Sequence, residues 1–202
     1  ESMLAKAFAD LRRTRAPALA LDLRGNGGGV DQYGALLCSY LLKSPFRYFD
    51  RIDVTEAYDG SGEVVDDADG SRRMISHSGL DQQEPSSPAF EGELFVLIDG
   101  GTFSTAADVA AVLHSQGRGI FLGEESGGGY CGNTSGASKT VTLPMSGITM
   151  DLPMWKYTTA VDSTANTGRG VPVEHRIVPT WARTSEGVDQ CLEKVRALRS
   201  SR

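Results

Sequence analysis

Residues 94–106 read Leu94-Phe95-Val96-Leu97-Ile98-Asp99-Gly100-Gly101-Thr102-Phe103-Ser104-Thr105-Ala106. The apolar run at the start has the length and composition of a short buried strand, and a helical pattern continues from Ser104 to Gln116. Asp99-Gly100-Gly101 marks the turn between them and puts Ser104 on it. A serine there has two readings. It can cap the new helix, as serine commonly does. It can instead stand out at the top of the sheet as a nucleophile, beside the unpaired N–H groups of the first helical turn, where a developing oxyanion finds donors already in place.

A second segment bears on the choice. Ala18-Leu19-Ala20-Leu21-Asp22-Leu23-Arg24 reads as another short buried strand, and it breaks into Gly25-Asn26-Gly27-Gly28-Gly29 before an apolar, helix-like run from Tyr33 to Leu42. Glycines there admit positive φ and close backbone approach, so the loop suits an anion or oxyanion as well as an ordinary turn. The spacing is neither that of a dinucleotide fingerprint nor that of a phosphate loop with its Lys-Ser/Thr.

Taken in order, four segments form a pattern. They are Asp22-Leu23-Arg24 with Asn26 and Gly28-Gly29; Gly101-Thr102-Phe103-Ser104; Gly123-Glu124-Glu125-Ser126-Gly127-Gly128-Gly129; and Gly168-Arg169-Gly170-Val171 with Glu174 and Ile177. The pattern resembles the catalytic domain of the C-terminal processing (tail-specific) serine peptidases of family S41, over residues 15 to 180 or so. The resemblance implies an α/β fold, a crotonase/ClpP-like spiral of ββα units. It implies a serine endopeptidase acting on protein or peptide substrates through an acyl-enzyme at Ser104. The oxyanion would be held by the backbone N–H groups of Gly28 and Thr105. It further implies a substrate bound as an added strand, no cofactor, and a periplasmic or secreted setting. Asp22 and Arg24 are read as fixing the strand end rather than doing chemistry.

The general base departs from the family pattern. In the Ser–Lys branch a Lys stands where this chain has Gly129; the lysines present are Lys6, Lys43, Lys139, Lys156 and Lys194. Lys139 is the nearest substitute, and its polar stretch reads as a solvated loop. The tricorn-like branch, to which the chain is more similar, uses a His with a supporting Ser and Glu. His114 lies ten residues beyond Ser104 on one helix, about 15 Å along the axis, and is out of reach. His77 falls in a polar segment read as solvated, and His175 in the closing motif. In tricorn-like relatives the His precedes the Asp-Leu-Arg strand. The expectation is therefore that the chain is the C-terminal part of a longer protein, with the base upstream, and inactive alone. Glu125 is the best acid in the matching region, either satisfied by loop N–H groups or orienting a His. Thr167 stands where some relatives carry Glu, and Ala107, followed by Asp108, where many do. These gaps keep open a second class of function, a catalytically inactive peptide-binding module of the same fold; an acyl-CoA enzyme of the crotonase group is a third.

Composition sets outer limits. The 202 residues, 40% of them hydrophobic, suffice for one domain over 1–202 with a proper core. A net charge of −6 without a basic stripe argues against nucleic acid. No apolar run approaches the ~20 residues that span a bilayer. Helices are expected at Ser2 to Arg13 and Val188 to Leu198, a strand at Tyr48 to Ala57, and a strand pair at Thr140 to Pro144 and Gly147 to Pro153. Residues 58–92, with Gly60-Ser61-Gly62, clustered acids and Pro85-Ser86-Ser87-Pro88, read as an insertion or mobile excursion rather than a core element. Cys38 reads as core and Cys131 as part of a site-like loop. With Cys191 they leave one disulfide open, and no spacing suggests a metal.

Overall fold

The computed structural model describes residues 2–60 and 62–200, so Ser61 of the expected Gly60-Ser61-Gly62 turn lies outside the described residues. In chain order the first elements are α1 (Ser2–Arg13), β1 (Ala18–Asp22), α2 (Asp31–Leu41), β2 (Phe46–Arg47), β3 (Phe49–Val54), β4 (Val64–Asp66), β5 (Arg72–Met74), a 3₁₀ turn (Ser78–Leu80) and β6 (Gln82–Gln83). There follow β7 (Glu93–Ile98), α3 (Thr105–Ser115), β8 (Ile120–Gly123), β9 (Ser138–Thr142), β10 (Thr149–Pro153), β11 (Trp155–Thr159), β12 (His175–Arg176), α4 (Trp181–Ser185) and α5 (Gln190–Ser200).

The apolar run of β7 is explained by its neighbours. It lies between β1 and β8 in a parallel sheet of order β1-β7-β8-β12, with Leu21 opposite Val96 and Leu97 opposite Leu122. Alternate side chains of a strand face opposite ways. Leu94, Val96 and Ile98 accordingly share a core with Val109, Ala110 and Leu113 of α3, while Phe95 and Leu97 pack with Leu122 against Cys191 and Val195 of α5. A strand covered by helices on both faces has no polar side to show.

A second, antiparallel sheet of order β11-β3-β5-β4 completes the α/β architecture. Its Phe49, Ile52, Val54 and Tyr157 join the same core as residues of α2 and α3, and α3 packs against β11. Polar ties cross the same boundary: Tyr48 Oη donates to the Thr105 carbonyl at 3.2 Å, and Thr159 Oγ1 to Asp108 at 3.0 Å.

The stretch 58–92 differs from its reading as an excursion outside the core. It contributes β4, β5 and β6, and Met74 and Phe90 are buried. The cause is backbone pairing, with Arg73 opposite Asp53 of β3 and the Phe90 N–H on the Tyr40 carbonyl. The strand pair β9–β10 does stand apart, as a two-stranded ribbon joined to no other strand among the described residues. Paired residues share a face. Met150 opposite Val141, with Leu143, Ile148 and Leu152, makes one side mostly apolar, with Lys139 opposite Leu152 as its charged member, and Thr140, Thr142, Thr149 and Asp151 make the other polar. Ile148 is 58% exposed and Met145, at the tip, 98%. Cys38, Cys131 and Cys191 are all free thiols, the first and last buried. Among the described residues no helix is long and apolar enough to cross a membrane.

Candidate active site

The two glycine-containing segments meet at the carboxyl end of the parallel sheet. Asp99 Oδ1 accepts from the Gly25 N–H at 2.9 Å and the Gly101 N–H at 2.8 Å, Thr102 Oγ1 donates to the Leu23 carbonyl at 2.8 Å, and the Phe103 N–H reaches the Asn26 carbonyl at 3.0 Å. These bonds clamp the turn carrying Ser104 onto the loop carrying Gly28. Ser104 itself adopts φ 49°, ψ −134°, a conformation that costs a residue with a Cβ about 1–3 kcal/mol. Its side chain makes no capping bond to α3, so the capping reading does not describe it.

Gly28 explains its own identity. It has φ 102°, and a Cβ built on it would lie 2.6 Å from Ser104 Cβ and 3.0 Å from the Thr105 nitrogen. Only a residue without a side chain fits. The Thr105 N–H, first in the helix, has no partner among the described residues. The Gly28 N–H donates to Asn26 Oδ1 at 3.0 Å, so one of the two expected oxyanion donors is engaged by a neighbouring side chain. The glycines after Glu125 serve the same turn. A Cβ on Gly128 would lie 2.5 Å from that of Ala107 and 3.2 Å from the Ser104 nitrogen, so this segment is pressed against the turn from its other side.

The Ser104 hydroxyl is directed to Ser135, with Oγ to Oγ 3.0 Å. Ser135 bonds Asn133 Oδ1 through its hydroxyl at 2.6 Å and its N–H at 3.1 Å, and Asn133 Nδ2 donates to Asp108 Oδ2 at 2.9 Å. Asp108 is 1% exposed. Burial is the main cause that pushes its carboxyl up to about 7, the negative Asp31 adds to it, and the bonds from Thr159 and Asn133 oppose it.

A cavity of about 340 Å³ adjoins Ser104, lined also by Asp31, His77, Ser135, Trp155 and Tyr157. His77 is thus not the solvated residue its polar surroundings in sequence imply. The 3₁₀ turn folds it inward, its ring lies edge-on to Trp155 and Tyr157, and Nδ1 accepts from the Gly79 N–H at 3.1 Å. That bond leaves the ring hydrogen on Nε2, which faces Asp31 Oδ2 at 3.8 Å. His114 bonds the Tyr130 hydroxyl at 3.1 Å on the far part of α3, and His175 lies in β12.

The remaining sequence candidates are drawn elsewhere. Glu125 is gripped by Arg169 through both oxygens and accepts the Gly170 N–H at 2.8 Å, and the Arg169 guanidinium, then that N–H, pull its carboxyl down to about 2. It does not line the cavity at Ser104. At Gly129 a Cβ would lie 2.7 Å from the Gly132 carbonyl oxygen, which leaves no room for a lysine. Thr167 donates to the Ser163 carbonyl. Arg24 joins Asp22 at 2.6 Å to Asp189 at 2.7 Å, tying the end of β1 to the start of α5. Ser135 and Asn133 escape a reading by motif. Their one local signal is Asn-x-Ser, in which the Asn side chain takes the N–H two residues on.

A serine in a strained strand-to-helix turn, against a side-chain-free loop and an unpaired helix N–H, on an α/β scaffold, is the arrangement that the serine hydrolase class presents. The chain belongs to peptidase family S41, whose family model matches residues 1–172. A C-terminal processing peptidase, chloroplastic, of Tetradesmus obliquus is 29% identical over 125 residues, 61% of this chain and 22% of its own length. Among solved structures, mature CPAF complexed with lactacystin matches at a TM-score of 0.69 and 17% identity, over 98% of this chain and 47% of that one. A peptidase structure from Parabacteroides merdae matches at 0.59 and 18%, over 90% of this chain and 51% of that one. The chain therefore spans about a fifth of its curated relative and about half of these solved structures.

Proposed function

We propose that the chain carries the nucleophile and oxyanion side of a serine endopeptidase and works within a longer polypeptide that supplies the base. The observation that carries this reading is the backbone of Ser104, held at φ 49° with its hydroxyl uncommitted to the helix. In the reaction Ser104 Oγ attacks the carbonyl carbon of a peptide bond, and its proton passes to the base. The carbonyl oxygen turns anionic beside the Thr105 N–H, and beside the Gly28 N–H once Asn26 rotates from it. Collapse expels the amine, which takes that proton from the base, and leaves an acyl-enzyme at Ser104, which water then hydrolyses. The substrate is an unstructured or C-terminal protein segment laid along the site as an added strand, in an extracytoplasmic setting. Support for the longer polypeptide comes from the relatives, about twice the length of this chain.

A second reading, a peptide-binding module without catalysis, draws on the engaged Gly28 N–H and on the closed space at Gly129. The two are separated by labelling with a fluorophosphonate probe, on the full-length protein and on residues 1–202 alone, with Ser104→Ala as control. Labelling of the full-length protein that disappears in Ser104→Ala supports the peptidase, and its absence from the shorter chain supports a base supplied from outside. A native full-length protein that takes up no probe leaves the binding module.

A further inference from the structure

We infer that Ser135 is a positioning residue for the Ser104 hydroxyl, held to that task by Asn133 and, through it, by Asp108. The inference rests on Ser104 being the nucleophile. Donor and acceptor roles fix the direction of the chain of bonds. The Ser135 backbone N–H can only donate, so the Asn133 atom it meets at 3.1 Å is the amide oxygen, and the atom Asn133 turns toward Asp108 at 2.9 Å is its amide nitrogen. Asn133 Oδ1 then faces Ser135, where it takes both the backbone N–H and the hydroxyl hydrogen. With its only hydrogen spent, Ser135 Oγ meets Ser104 at 3.0 Å as an acceptor. The Ser104 O–H bond therefore points at Ser135, and one of the serine's three staggered rotamers is selected.

The anchoring end is rigid. Asp108 is buried on α3, one turn beyond Ser104, and Thr159 of β11 takes its other oxygen at 3.0 Å. The Asn133 carbonyl accepts the Tyr157 N–H at 2.8 Å, which fastens the loop to β11 independently of its side chain. Helix, second sheet and loop thus converge on one hydroxyl. Ser135 is itself exposed, so its truncation removes the bond without opening the core.

The test is the kinetics of fluorophosphonate labelling of the full-length protein, separating the rate at saturating probe from the probe concentration at half-saturation. Ser135→Ala is expected to label roughly 10- to 100-fold more slowly at saturation, at unchanged half-saturation and melting temperature, and Ser135→Thr, which restores a hydroxyl, to recover most of the rate. Asn133→Ala is the second variant, and the same slowing is expected of it. Native-like rates in Ser135→Ala and Asn133→Ala overturn the inference and leave the nucleophile standing. Slowing that tracks a fall in melting temperature, with no recovery in Ser135→Thr, also overturns it. A native protein that never labels removes the nucleophile and this inference together.

Discussion

At Gly28 the constraint on Ser104 is one of contact. A methyl group there would need the space 2.6 Å from Ser104 Cβ, and φ 102° is strained for any residue with a side chain. The loop and the turn are clamped together by Asp99 and Thr102, so neither can retreat alone. Gly28→Ala is therefore expected to displace Ser104 by a fraction of an ångström or more and to slow probe labelling about 100-fold. The far-ultraviolet circular dichroism should stay native; a variant that labels at the native rate would show that the loop yields. Ser104 and Gly28 are legible in sequence because each stands where a strand breaks, and strand breaks are written in glycine and apolar runs. Ser135 is not, since it lies 31 positions from Ser104 in a polar loop without periodicity, and only the packing of β11 against α3 brings it near.

Among the elements, α5 shows how one side chain can join two. Asp189 Oδ1 accepts the Cys191 and Leu192 N–H groups at 3.0 Å, capping the helix, while the same carboxylate receives Arg24 from the end of β1. Asp189→Ala removes the cap and leaves Arg24 with Asp22 alone, and a loss of about 1–2 kcal/mol is expected in urea unfolding. Asp189→Asn keeps a capping oxygen and should recover most of that loss; if it is as unstable as the alanine variant, the ion pair rather than the cap is what matters. The helix is legible from its apolar positions, as are β1, β7 and α3. By contrast β12 is two residues long and α4 buries none of its side chains, so neither carries a pattern. The strands β4 and β5 hide for a related reason. Arginines of β5 pair with aspartates at the end of β4 and just past it, Arg72 with Asp66 and Arg73 with Asp67, in residues that read as loop.

For the whole molecule, a buried carboxyl that bears on pH dependence is that of Asp108. Burial pushes its carboxyl up to about 7 from the 3.8 of a free side chain, so the native state holds the proton more tightly. Stability from this group is fully present below about pH 4 and is lost as pH rises through about 7. The groups around it are Asp31 and Cys38 of α2, Tyr48, and Tyr157 of β11. Asp108→Asn removes the titration, so its melting temperature relative to the native chain should climb between pH 4 and 8; a constant difference across that range would assign the dependence to other groups. The sequence marks Asp108 only as the neighbour of Ala107, because burial is a property of the assembled layers. The ribbon β9–β10 is the opposite case, polar on one side, apolar but for Lys139 on the other, and paired along neither outer edge among the described residues. Free strand edges beside an apolar face are templates on which copies of a chain add to one another. In a concentrated solution the net charge of −6 keeps molecules apart, and salt that screens it gives the ribbon its opportunity. Clarity of such a solution is then decided at residues 138–153, none of which lines the cavity at Ser104.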